Sequence, residues 1–130
     1  MEAIMTNGSC LCGAVAFTID GALSPPSACH CGQCRKQSGH IWASTSTHQN
    51  NLSFTASDTL SWFRASNIAR RGFCSACGSF LFWQHTEEDT ISISMGAFDD
   101  PTGLMLSKHI FVADKGDYYD ITDDLPQRAQ

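Results

Sequence analysis

The sequence is poor in everything that would send a chain into or across a membrane. Its first residues, Met1-Glu2-Ala3-Ile4-Met5-Thr6, carry neither a basic region nor an apolar core, so no signal peptide is expected. No run approaches the roughly 18 apolar residues that a membrane helix needs. Basic residues are scarce, 8 Lys and Arg against 13 Asp and Glu, for a formal charge of −5. That balance argues against non-specific nucleic-acid binding, which draws on counter-ion release by Lys and Arg. No apolar period of 3.6 residues is sustained, which excludes a substantial helix; at most Gln33–Ser38 makes a single turn. Neither an internal repeat nor a low-complexity linker divides residues 1–130, which read as a single domain. A chain of this kind is expected in the reducing cytoplasm, where clustered cysteines bind metal rather than form disulfides.

Cysteine is what the chain has in abundance. Its 7 cysteines fall into three groups, Cys10-x-Cys12, Cys29-x-Cys31-x-x-Cys34 and Cys74-x-x-Cys77. An odd count fits disulfides badly. Four sulfurs close a tetrahedral zinc site, so seven make one closed site and one that is a ligand short. With all thiols ionised and two zinc ions bound, the net charge becomes about −8.

The remainder reads as mostly β. Val15, Phe17 and Ile19 alternate with Ala16 and Thr18, and Ile91, Ile93 and Met95 alternate with Ser92 and Ser94, the period of a strand with one buried face. Further strands are expected at Ile41–Thr47, Leu60–Arg64, Ile68–Phe73, Phe80–Gln84 and His109–Ala113, which are short and rich in aromatic or β-branched residues. Turn formers separate them at Asp20-Gly21, Ser24-Pro25-Pro26, Gln49-Asn50-Asn51 and Asp99-Asp100-Pro101. The expected core is Phe17, Ile19, Trp42, Trp62, Phe80, Phe82, Ile91, Ile93 and Phe111. The acidic end, about residues 114–130, is expected to be a solvated, loosely ordered tail.

Local chemistry separates the sulfur groups. Cys12 precedes Gly13 and Cys77 precedes Gly78, and a glycine there lets the chain turn tightly enough to aim N–H groups at sulfur. Two such knuckles predict a closed site of Cys10, Cys12, Cys74 and Cys77 that clamps the N-terminal strand to a distant hairpin. The rival partition joins Cys10 and Cys12 to the middle group. That middle group packs Cys29, Cys31 and Cys34 into six residues, directly followed by Arg35 and Lys36. Positive charge there lowers thiol pKa values and attracts an anion. Three thiolates acidify a metal-bound water only weakly, so the site suits an incoming thiol as fourth ligand. The competing reading closes it with His40, His48, His85 or His109 and makes it purely structural. His30, between two ligands, is expected to face away from the ion.

These residues carry a resemblance. Gly8-Ser9-Cys10-Leu11-Cys12-Gly13-Ala14-Val15, Cys29-His30-Cys31-x-x-Cys34-Arg35-Lys36 and Arg71-Gly72-Phe73-Cys74-x-x-Cys77-Gly78-Ser79-x-Leu81-Phe82 resemble the glutathione-dependent formaldehyde-activating enzyme (GFA) family, whose domain centromere protein V shares. The likeness continues through His109-Ile110-Phe111-Val112 to Asp124-Leu125-Pro126 and spans nearly the whole chain. It implies a small, twisted, mostly antiparallel β-sheet domain stapled by zinc, the fold of a zinc chaperone of Rab-type GTPases. It implies two zincs per chain, a structural one at Cys10, Cys12, Cys74 and Cys77 and a catalytic one at Cys29, Cys31 and Cys34. It also implies carbon–sulfur lyase chemistry, joining formaldehyde to glutathione as S-hydroxymethylglutathione or cleaving that adduct. Glutathione carries two carboxylates, which Arg35 and Lys36, or Arg64, Arg70 or Arg71, would anchor. His30, His48 and His109 are the candidate proton donors. The alternative from another class is a zinc-stabilised module that binds a protein partner through its β-surface.

Overall fold

A computed structural model of the protein describes residues 5–99 and 101–130. Residues 1–4, and residue 100 at the centre of the expected Asp99-Asp100-Pro101 turn, lie outside the described residues. In chain order the strands are β1 (Met5–Ser9), β2 (Ala16–Asp20), β3 (Ser27–Cys29), β4 (Trp42–His48), β5 (Leu52–Ala56), β6 (Leu60–Arg64), β7 (Ala69–Cys74), β8 (Phe80–His85), β9 (Thr90–Ser94) and β10 (Lys108–Ile110). One helix, α1 (Gly32–Ser38), lies between β3 and β4, where the sequence allowed a single turn. Among the described residues no helix is long and apolar enough to cross a membrane.

The strands form two sheets, β1-β2-β5 and β10-β3-β4-β9-β8-β7-β6. Every pairing is antiparallel except that of β10 with β3. The main core lies between the two sheets: Phe17 and Ile19 of β2 meet Leu81 and Phe82 of β8 and Ile91 and Ile93 of β9. The Phe17 ring stands edge-on to Phe82 with centroids 5.3 Å apart, a favourable aromatic geometry. Gly8 makes room for it, since a Cβ at Gly8 would sit 2.5 Å from that ring and 2.7 Å from the Ala97 carbonyl oxygen. A smaller cluster of Cys29, Cys34 and Trp42, with Cys31, Phe80, Trp83 and Ile110 packed against it, forms on the larger sheet.

The alternating segments became strands because each buries one face. Three strands were not expected. The β1 segment Met5-Thr6-Asn7-Gly8-Ser9 has no alternation, and β3 is only three residues long. The third, β5, is largely exposed and pairs with β2 at the sheet edge.

One expectation needs correction. The strand placed at His109–Ala113 stops at Ile110, and Phe111 adopts a left-handed conformation with φ 55°, 37% exposed rather than in the core. The chain turns there because β10 finds a partner for three residues only. The acidic end, about residues 114–130, also makes backbone contacts with β10. Backbone bonds tie it to β10: His109 N–H to Pro126 O at 2.9 Å, Arg128 N–H to His109 O at 2.9 Å and Val112 N–H to Arg128 O at 3.0 Å. Its carboxylates stay exposed while its backbone is engaged.

Candidate functional site

Two sulfur clusters stand apart in the fold. In the first, the loop after β1 supplies Cys10 and Cys12, and the β7–β8 turn supplies Cys74 and Cys77; all four sulfurs lie within 4.8 Å of one another. Two of their separations are 3.6 Å (Cys10–Cys12) and 3.8 Å (Cys12–Cys74). A tetrahedral ion about 2.3 Å from each sulfur requires sulfur–sulfur edges of about 3.8 Å, so the donor set fits zinc. The expected knuckles are present. Gly13 and Gly78 have φ 80° and 82°, and their N–H groups bond back to the Cys10 and Cys74 carbonyls. Neutral donors surround the sulfurs: Val15 N–H lies 3.3 Å from Cys10 Sγ, the Thr59 hydroxyl 3.2 Å from Cys74 Sγ and the Ser79 hydroxyl 3.2 Å from Cys77 Sγ. Bonds from the Ser79 hydroxyl and N–H hold the Cys77 thiol down at about 5.

The second cluster is local. Cys29 ends β3, Cys31 is the N-cap of α1 and Cys34 lies in its first turn. The Cys31 sulfur accepts the Cys34 N–H at 3.3 Å, as a capping side chain does. The three sulfurs lie within 4.8 Å of one another, and among the described residues no His, Asp, Glu or further Cys joins them. Cys29 and Cys34 are buried, at 6% and 3% exposure.

The cation beside this cluster comes from β7. Arg71 pairs with Phe63 across β6 and with Trp83 across β8, which sets its side chain on the face that carries the sulfurs. Both terminal guanidinium nitrogens lie 3.6 Å from Cys34 Sγ, and one also reaches Gln33 Oε1 at 3.3 Å. The residue is 3% exposed, and its buried Nε has no partner. A hydrogen bond with Cys29, then the charge of Arg71, hold the Cys34 thiol down at about 6, while the same contact and burial push Cys29 up. Without metal, negative charge is favoured on Cys34, against Arg71, over Cys29. A compact set of sulfur donors with a compensating cation fits a thiophilic ion such as zinc.

Arg35 and Lys36, the expected anion binders, are placed differently. Arg35 Nη1 donates to the Asp114 carbonyl at 2.9 Å, so its charge faces the C-terminal segment. Lys36 is exposed and lines a cleft of about 360 Å³ with Gln33, Gln37, Phe63, Ala65 and Arg71. Arg64 and Arg70 lie elsewhere on the sheet: Arg64 bonds the Asn67 carbonyl, and Arg70 bonds Gln84 Oε1 over the Trp62 ring. Of the histidines offered as a fourth ligand, His40 bonds the Tyr118 hydroxyl, His48 faces Asp89 and His109 faces Asp123. His30 turns toward His109 and Tyr119. Arg71 was one basic residue among five in the sequence, where nothing marked it as the one beside sulfur.

The family model for the glutathione-dependent formaldehyde-activating enzyme matches residues 5–114. The chain belongs to this family. It is 26% identical over 121 residues to an uncharacterized lyase of Schizosaccharomyces pombe, covering 89% of this chain and 85% of that one. It also resembles the crystal structure of a Rhodobacter sphaeroides protein, with a TM-score of 0.62 and 20% identity over 75% of this chain and 91% of that chain. The second likeness supports the fold alone. The GFA-family chain thus presents two cysteine clusters able to hold metal ions, one of four sulfurs and one of three.

Proposed function

We propose that the protein is a zinc-dependent carbon–sulfur lyase of the GFA type, acting on a small thiol or its aldehyde adduct. The observation that carries this reading is the three-sulfur cluster, which has no fourth protein ligand among the described residues and a buried arginine against one sulfur. Family membership and a relative named as a lyase support it.

Cys10, Cys12, Cys74 and Cys77 would hold a structural zinc, and Cys29, Cys31 and Cys34 a second. When bound, the second ion supplies a Lewis-acid position at which an incoming thiol is held as thiolate. The chain's own residues do the rest. Arg71 balances the negative charge that gathers on Cys34. The cleft beside it, with Lys36, Gln33 and Gln37 at its edge and Phe63 against it, suits a thiol that carries a carboxylate and amide groups, as glutathione does. In the forward direction the substrate sulfur attacks the aldehyde carbon, a C–S bond forms, and the carbonyl electron pair moves to oxygen, which takes up a proton. Cleavage of the S-hydroxymethyl adduct is the reverse.

The test combines metal stoichiometry with turnover. Two zincs per chain, the second alone displaced by competing thiols, and turnover of a thiol–aldehyde adduct that Cys31→Ser abolishes are the expected results. One tight zinc and no response to thiols would overturn the lyase reading in favour of a zinc-stabilised module for a protein partner.

A further inference from the structure

His30 has no part in the chemistry above, yet at 1% exposure it is among the most buried polar residues of the chain. It sits between two sulfur ligands, and both of its ring nitrogens are engaged. His30 Nδ1 lies 2.5 Å from the Tyr119 hydroxyl, and His30 Nε2 lies 2.8 Å from His109 Nδ1. His109 Nε2 in turn lies 3.0 and 3.1 Å from the two Asp123 carboxylate oxygens.

With both rings neutral, the end of this chain sets the direction of its bonds. An ionised carboxylate only accepts, so a neutral His109 donates from Nε2 and accepts at Nδ1. His30 must then donate from Nε2 to His109 and accept at Nδ1, where the Tyr119 hydroxyl donates. The tautomer of each ring is set by its neighbour, and both ends of the relay belong to the segment after β10. The Tyr119 ring also stacks on His30, with centroids 5.7 Å apart at 21°. The backbone is held as well, since His30 N–H donates to the Ile110 carbonyl at 3.1 Å.

We propose that Tyr119 and Asp123 are positioning residues which, through His109 and His30, set the Cys29-His30-Cys31 peptide and so the sulfur geometry of the second site. Neighbouring residues of an extended chain point to opposite sides, so a His30 ring anchored at both nitrogens restrains the peptide that carries Cys29 and Cys31. Removing the Tyr119 hydroxyl leaves a buried acceptor on His30 unpaired, and removing the Asp123 carboxylate frees His109 to take either tautomer. A group bonded directly to a metal ligand typically changes metal affinity by about 10- to 100-fold; Tyr119 and Asp123 act through His30 and stand further out, so a smaller effect, about three- to tenfold, is expected.

This inference rests on Cys29, Cys31 and Cys34 being metal ligands, and its test separates the two claims. The full chain, folded with cobalt(II), is titrated with a chelator while thiolate-to-cobalt absorption is followed; Cys31→Ser identifies the step that belongs to the second site. Tyr119→Phe and Asp123→Ala are expected to weaken that step about three- to tenfold and leave the four-sulfur step unchanged. Asp123→Asn, whose carbonyl still accepts from His109, is expected to restore most of the affinity. An unchanged second step in either variant overturns the proposal. So do equal shifts of both steps, which would mean that the segment only supports the fold, or Asp123→Asn behaving like Asp123→Ala. A wild-type titration with a single step overturns the metal reading, and this inference with it.

Discussion

The two sulfur clusters are built from the same donor atoms but are assembled at different ranges. Cys12 and Cys74 are 62 residues apart, so the four-sulfur cluster ties the N-terminal sheet to the far hairpin of the larger one. The three-sulfur cluster spans six residues and closes almost no loop. Its neighbours differ in the same sense. Hydroxyl and N–H donors surround the first cluster, with Val15, Thr59 and Ser79 each serving one sulfur. A full charge, Arg71, stands beside the second. On the proposed reading, the long-range cluster with neutral donors serves the structure, and the local cluster, with its buried cation and no fourth ligand among the described residues, is where a substrate enters.

The comparison breaks most visibly at the clamp. Cys77→Ser is expected to abolish cooperative folding, since a structural zinc site of this kind contributes on the order of 10 kcal/mol; loss of near-ultraviolet circular dichroism and of the thermal transition would show it. If Cys77→Ser folds as well as Cys31→Ser, the two clusters are not different in kind. Cys31→Ser is expected to keep the fold, with a melting temperature within a few degrees of wild type, while adduct turnover falls below detection.

Arg71 sharpens the contrast. With the second site stripped of metal, alkylation of Cys34 should follow thiolate formation with a midpoint of about 6, fast above that pH and falling as pH drops through it. The pKa lies below the ordinary thiol value, so loss of positive charge must raise it. Arg71→Met is expected to move the midpoint upward and slow alkylation at neutral pH by roughly tenfold, read by mass spectrometry of the modified residue. A midpoint that stays put would mean that Cys29 alone sets the Cys34 thiol. The smallest effect belongs to Lys36, which is exposed. Lys36→Ala should raise KM for a carboxylate-bearing thiol about two- to fivefold and leave kcat nearly unchanged, as expected for a solvent-screened charge. An uncharged thiol should not notice the change.

Much of this contrast was legible in the chain. The spacing of the cysteines and the glycines after Cys12 and Cys77 separated a closed set from an open one, because ligands a few residues apart are neighbours in any fold. Strands with one buried face announced themselves by alternation, as β2 and β9 did. Three other strands carried no such mark. In β1 the residue that matters is Gly8, whose lack of a side chain admits the Phe17 ring, and β3 owes its pairing to β4 and β10 rather than to its own three residues. Phe111 has the composition of a core residue and the backbone of a turn. The acidic tail looked solvated because its side chains are, while its backbone completes β10.

The sequence by itself determined the three local cysteine groups and the mostly β character, since both follow from short-range spacing; that Cys10 and Cys12 meet Cys74 and Cys77 rather than the middle group was decided by the fold. Only the tertiary structure decided which charge faces the open site and what stands behind it. Arg35 and Lys36 are next to Cys34 in the chain, yet α1 turns Arg35 toward Asp114, and the guanidinium that reaches Cys34 comes from β7, 37 residues away. That choice depends on how β7 registers between β6 and β8. The wiring of His30 to Asp123 depends on the parallel pairing of β3 with β10. Register follows from the face each strand buries and from the turns between neighbours, but the pairing of β3 with β10 joins segments far apart in the chain, and no local pattern announces it.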